Sequence, residues 1–171
     1  MNATGTKLGP AGAAMSGRAA RMDPSAFAYH LARGSWLPSV VAQATMDLPR
    51  STDAPRLARQ CVQSKAAEEL DRPEREMVEV LLSELVSNAV MHPGPRAGDS
   101  VNLHFAVAPE RIRVEVCDDG EGFAPGDLGR PRDEPGGYGL IMVDRGSSRW
   151  GTSREDGNCV WFELDREGGA D

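Results

Sequence analysis

The clearest signal in the chain is a change of apolar period. Between residues 54 and 92 the apolar side chains recur every three or four positions, and between 101 and 117 every second one. Pro55 after Ser51, Thr52 and Asp53 is a helix-start signal, and Leu57, Cys61, Val62 and Ala66 follow at helical spacing. A second helix is announced by Asp71 with Glu74 three residues on and Pro73 in the first turn, the pattern of a reciprocal cap. Met77, Val78, Leu81, Leu82, Leu85, Ala89 and Val90 give it a broad apolar stripe, and Pro93-Gly94-Pro95 ends it because the residue before a proline is pushed out of the helical region.

In the next stretch Val101, Leu103, Phe105 and Val107 alternate with Asn102, His104 and Ala106. After Pro109-Glu110, Ile112, Val114 and Val116 alternate with Arg113, Glu115 and Cys117. Period two over both runs predicts a hairpin with one apolar face, closed by a turn that is not of the Asn-Gly type. A Gly/Pro/Asp-rich stretch from Asp118 to Gly137 is long enough to predict a functional loop. Residues 138 to 145 suit a short helix, and Val160-Trp161-Phe162-Glu163-Leu164 a final strand. The sum is an α+β fold: a two-layer α/β sandwich with a mixed, mainly antiparallel sheet and two or three helices on one face.

Composition narrows the setting. The 171 residues are enough for one domain with a core, and the hydrophobic (40%) and charged (26%) fractions are those of a soluble globule. Residues 1 to about 24 are Gly/Ala-rich and read as a disordered tail; residues 25 to 44 hold Phe27, Tyr29, Trp36 and Val40 without a regular pattern. The expected organisation is a disordered or loosely docked extension over 1–44, a compact domain over 45–165 and a tail over 166–171. A net charge of -7 argues against broad electrostatic binding to nucleic acid or an anionic membrane, and Arg130 and Arg132 read as a solvated loop. The three cysteines, Cys61, Cys117 and Cys159, lie far apart, resemble no zinc clip and are odd in number. Each is expected to be a small core residue in a reducing compartment. No apolar run is long enough to cross a bilayer and none suits a signal peptide, so the expected location is cytoplasmic.

Three groups of residues carry candidate chemistry. Glu84 and Asn88 are spaced i,i+4, so they share a helical face while Leu81, Leu82, Leu85 and Ala89 turn to the core. Asn offers a neutral oxygen to Mg²⁺, and Glu can accept a proton or orient a water; the same pair alone is also the ordinary polar face of an amphipathic helix. Continuing the strand period, Asp118 falls on the apolar face, where an acid needs a partner, such as the exocyclic amino group of adenine. Gly120 and Gly122 would let the backbone approach a flat ring or take positive φ, although an isolated D-x-G-x-G is more often a simple turn. In the third group, Gly136, Gly137 and Gly139 lead directly into a helix and place free backbone N–H groups at its positive end, which suits phosphates. The loop is neither a Walker loop nor a dinucleotide fingerprint, and alone it is also a plain hinge.

Together and in this order, ELVSNAVMH (84–92), DDGEGF (118–123) and GGYGLIMV (136–143) resemble the Bergerat-fold (GHKL-type) ATPases, over roughly residues 45 to 165. That superfamily includes type II topoisomerase subunits, sensor histidine kinases and the anti-sigma regulatory serine/threonine kinases. The short free-standing domain, with Trp150-Gly151 and the closing VWFEL, looks like the last of these and their actinobacterial relatives. The resemblance implies ATP and Mg²⁺ as cofactors, with Asn88 on the metal, Asp118 on the adenine amino group and Glu84 as general base. It further implies Gly120, Gly122, Gly137, Gly139 and Leu140 around the nucleotide. His92 extends the 84–88 row by one turn but precedes Pro93 and receives no role. The implied partners are a sigma factor and an anti-sigma-antagonist protein, with room for a homodimer and no direct nucleic-acid or membrane contact. The alternative is a nucleotide-gated regulatory binding module with weak or no kinase activity.

Overall fold

Asp71 and Glu74 close on each other as their spacing predicts. Glu74 N–H donates to Asp71 Oδ1 at 2.8 Å and Asp71 N–H donates to Glu74 Oε2 at 3.0 Å, which satisfies two of the four orphan donors at the helix start. The helix they open runs over Arg72–Met91 and ends on His92, whose N–H returns to Asn88 O. The computed structural model describes residues 39–92, 98–118, 138–153 and 158–167. Within them the chain forms β1 (Ala42–Pro49), α1 (Ala54–Ala66), α2 (Arg72–Met91), β2 (Ser100–Ala108), β3 (Arg111–Asp118), α3 (Tyr138–Gly146), β4 (Arg149–Ser153) and β5 (Asn158–Asp165). The expected loop from 118 to 137 lies outside the described residues after Asp118.

The strands form one sheet in the order β1-β2-β3-β5-β4, and every described pairing is antiparallel. Alternation sends Leu48, Val101, Leu103, Phe105, Val107, Ile112, Val114, Val116, Trp150, Phe162 and Leu164 to one face. There they pack with Ala54, Ala58, Val62 and Ala66 of α1, with Val78, Leu81, Leu82, Leu85 and Val86 of α2, and with Val143 of α3. Burying each Leu or Val of that layer contributes about 1.5–3 kcal/mol. The result is the expected two-layer sandwich with helices on one face. The fully buried positions of α1 are three alanines and a valine, which let that helix lie close to the sheet. A hydrogen bond from Trp150 Nε1 to Asp144 Oδ1, at 2.9 Å, ties α3 to β4.

Several features depart from the expectation. β1 and β4, the two edge strands, had not been anticipated; β1 begins at Ala42, three residues before the expected start of the compact domain. Met77, expected in the apolar stripe, is 41% exposed, because it sits at the margin of α2 beside Gly146 rather than over the sheet. The cysteine reading is corrected in part: Cys117 and Cys159 are buried as expected, but they are not the reduced thiols that reading implied. Cys117 and Cys159 face each other across β3 and β5 with Cα atoms 4.0 Å apart and form a disulfide; only Cys61 is a free, half-buried thiol. Sequence separation of 42 hid a pairing that strand register creates.

The outer face of the sheet carries a charged layer. Arg113 donates to Glu163 Oε1 at 2.8 Å and Glu115 Oε2 at 3.2 Å, and its guanidinium stacks 4.0 Å from the Trp161 ring centre. Burial pulls the Arg113 guanidinium below its ordinary value, while Glu115 and Glu163 push it back up. Arg149 donates to Glu163 Oε2 at 2.9 Å and pairs with Asp165. Gly151 makes room for the indole: a Cβ there would lie 2.8 Å from a Trp161 ring carbon. Among the described residues no helix is long and apolar enough to cross a membrane.

Candidate nucleotide site

Helices α2 and α3 meet through glycine. A Cβ on Gly146 would stand 3.0 Å from a Leu81 methyl, and one on Gly139 would stand 2.6 Å from Glu84 Oε2, 3.0 Å from Asn88 Nδ2 and 3.5 Å from Asn88 Oδ1. The two glycines are two helical turns apart, so one bare stripe of α3 lies against α2. Gly139 belongs to the first turn of α3, where backbone N–H groups are unspent and the helix dipole is positive. The structure thus brings Glu84, Asn88 and Gly139 to one place, as their motifs had suggested.

The side chains there are not consumed by the fold. Glu84 has no hydrogen bond or ion pair among the described residues, and Asn88 Nδ2 is buried without a hydrogen-bond partner. A buried amide donor left unpaired costs about 1–3 kcal/mol, which a bound anionic oxygen would recover. The opposite atom, Asn88 Oδ1, is a neutral oxygen of the kind Mg²⁺ accepts. An orphan donor, a metal-compatible oxygen and a helix start with only hydrogen beside it fit a phosphate-bearing ligand and its cation.

Asp118 ends β3 on the helix-facing side, in phase with Ile112, Val114 and Val116, and is 7% exposed. It pairs in register with Asn158, whose Nδ2 lies 3.5 Å from Asp118 Oδ1. α2 packs across β3, so the strand bearing Asp118 is covered by the helix bearing Glu84 and Asn88. Leu140 is half-buried and packs against the core, an anchor for α3 as much as a wall for a ligand. Gly120, Gly122 and Gly137 lie outside the described residues. His92 is exposed at the end of α2.

Arg50 was not legible in the sequence. Its guanidinium donates to Gly98 O at 2.7 Å, to Ser100 O at 3.2 Å and to Ala89 O, tying the α2 turn that holds Asn88 to the start of β2. An isolated arginine after a strand has no periodic signature, and only the fold reveals its targets.

A sheet with helices on one face, a carboxylate–carboxamide pair on α2 and a buried acid at the end of β3 make an α/β sandwich with a candidate nucleotide site. The model of the histidine kinase-like ATPase domain matches residues 48–164. The chain belongs to that family, and the domain is an ATP-binding one. No curated protein matches the chain.

Proposed function

We propose that the chain is a Mg²⁺-ATP-dependent serine/threonine kinase of the anti-sigma regulatory type, which phosphorylates an anti-sigma-antagonist protein and binds a sigma factor. The observation that carries this reading is the Glu84 carboxylate, placed beside Asn88 over the first turn of α3 and without a hydrogen bond or ion pair among the described residues. A carboxylate kept for stability would be paired; one kept for a proton transfer stays available. The family match supports the nucleotide as co-substrate, and the resemblance of ELVSNAVMH, DDGEGF and GGYGLIMV supports the subfamily.

In this reading Asp118 accepts a hydrogen bond from the adenine amino group. Asn88 Nδ2 would donate to a phosphate oxygen and Asn88 Oδ1 would be a ligand for Mg²⁺, which would supply neutralisation of phosphate charge. The N–H of Gly139 borders the phosphates and Leu140 lines the site beside it; for Gly120, Gly122 and Gly137, which lie outside the described residues, the role rests on the resemblance of their motifs alone. Glu84 orients the incoming serine hydroxyl and takes its proton; positioning and charge neutralisation do most of the remainder in phosphoryl transfer.

The test is single-turnover transfer of labelled phosphate to partners that co-purify from the native cell, beside ATP affinity, for wild type and Glu84→Ala. The kinase reading expects the variant to bind ATP as wild type does and to transfer about 10²–10⁴ times more slowly. A wild type that binds ATP but labels no partner leaves a nucleotide-gated binding module in its place.

A further inference from the structure

The disulfide lies outside the nucleotide site yet only one residue from it. Among the described residues β3 runs to Asp118 and β5 starts at Asn158, so Asp118↔Asn158 is the last described pair of that ladder and Cys117↔Cys159 the one before it. Alternation puts the bridge on the outer face and Asp118 on the helix-facing side. Strand ladders open from their ends, and across this last described pair Asn158 Nδ2 reaches Asp118 Oδ1 at a long 3.5 Å. A covalent tie across the preceding pair holds the two strand ends together and with them the carboxylate.

The surroundings suit a reversible pair. Glu115 shares the outer face, with Oε1 3.5 Å from Cys117 Sγ, so in the dithiol form the Cys117 thiol can donate to that carboxylate, a contact the bridged form lacks. Both sulfurs are buried, which slows exchange without preventing it. Cys117 is 6% exposed and Cys159 1%, so exchange enters at Cys117. Cys61 stands on α1, which packs on the opposite face of the sheet, and does not compete.

We propose that Cys117 and Cys159 form a redox modification site whose bridged form binds nucleotide more tightly than its dithiol form. The proposal rests on the assignment of Asp118 to the nucleotide. The two thiols and one low-molecular-weight disulfide exchange to give the protein bridge and two small thiols. The protein pair loses two electrons and two protons in forming its S–S bond; the small disulfide accepts both as its own S–S bond breaks. In the dithiol form two unbonded sulfurs need more room than bonded ones, so the ladder end loosens and Asp118 is held less firmly.

The full chain is equilibrated with a glutathione redox pair or with dithiothreitol, and thiols are counted after denaturation, since burial pushes the Cys61 thiol up and slows its labelling in the folded protein. Calorimetry with ADP and Mg²⁺ on the two forms is expected to show tighter binding in the bridged form by about fivefold. Cys117→Ser/Cys159→Ser is expected to match the reduced wild type under both conditions. Equal affinities in two forms whose thiol counts differ overturn the proposal. So does a pair that never bridges, or a reduced protein that retains zinc at Glu115, Cys117 and Cys159, whose ligand atoms lie within 4.8 Å of one another. Absence of ADP binding in both forms removes the nucleotide assignment itself, and the switch with it.

Discussion

Gly139 and Glu84 stand so close that one added carbon on the glycine would lie 2.6 Å from the carboxylate oxygen. The bare Cα lets the first turn of α3 approach the polar face of α2. Gly139→Ala meets only the ends of the Glu84 and Asn88 side chains, which can swing away. The variant is expected to fold with a thermal midpoint within a few degrees of wild type, at about 1 kcal/mol or less, and the proposed kinase activity predicts phosphate transfer about a hundredfold slower through misplacement. Thermal melts and single-turnover rates measured together check this; an unchanged rate would detach Gly139 from the site.

Asp118 is buried at the end of β3 on the apolar face, the placement required to read an amino group. Asp118→Asn is expected to weaken ATP by about 1.5–3 kcal/mol, roughly ten- to a hundredfold, through loss of a charge-assisted hydrogen bond. Calorimetry, with folding verified by circular dichroism, measures it. Wild-type affinity in the variant would move the adenine elsewhere.

Asn88 has a buried amide nitrogen with no hydrogen-bond partner among the described residues and a neutral carboxamide oxygen of the kind Mg²⁺ accepts. Asn88→Ala is expected to abolish most of the gain in ATP affinity that Mg²⁺ confers and to retain metal-free binding. It should also leave stability unchanged or raise it, because an unsatisfied buried donor disappears. Equal losses with and without Mg²⁺ would point to packing as the role of Asn88.

Arg113 and Glu163 form a fully buried pair on the outer face, 2.8 Å apart. Glu163→Ala takes from the buried guanidinium its 2.8 Å partner and takes a carboxylate from Arg111 and Arg149 as well, so a loss of about 3 kcal/mol in unfolding free energy is expected. Glu163→Gln, which keeps an acceptor, is expected to lose less. Denaturant titrations of both variants check the order, and similar losses would mean that shape, not charge, holds the layer.

Much of the domain was legible along the chain. The capping pair Asp71–Glu74, the stripe of α2 and the alternation from Val101 to Val116 each depend on neighbours within a few residues. A helix turn or a strand pleat reports such spacing directly. The same locality made Glu84 and Asn88 readable as a pair, and the phase of Asp118 readable as inward.

The edge strands were harder to see. β1 alternates Ala42, Ala44, Met46 and Leu48 with Gln43, Thr45 and Asp47, but its small residues give a faint signal. β4 is short and interrupted by Gly151. Their place in the sheet comes from pairing with β2 and β5, partners that lie far along the chain in the case of β1.

The sequence by itself determined the local elements, their inward faces and the residue types offered to a ligand, because these follow from periods of two and 3.6. Only tertiary structure decided that Gly139 stands over Glu84, that Arg50 ties down the turn of Asn88, and that Cys117 meets Cys159. Each of these contacts joins residues 39 or more positions apart, and register and helix crossing, which exist only in the folded sheet, choose among the partners that spacing leaves open.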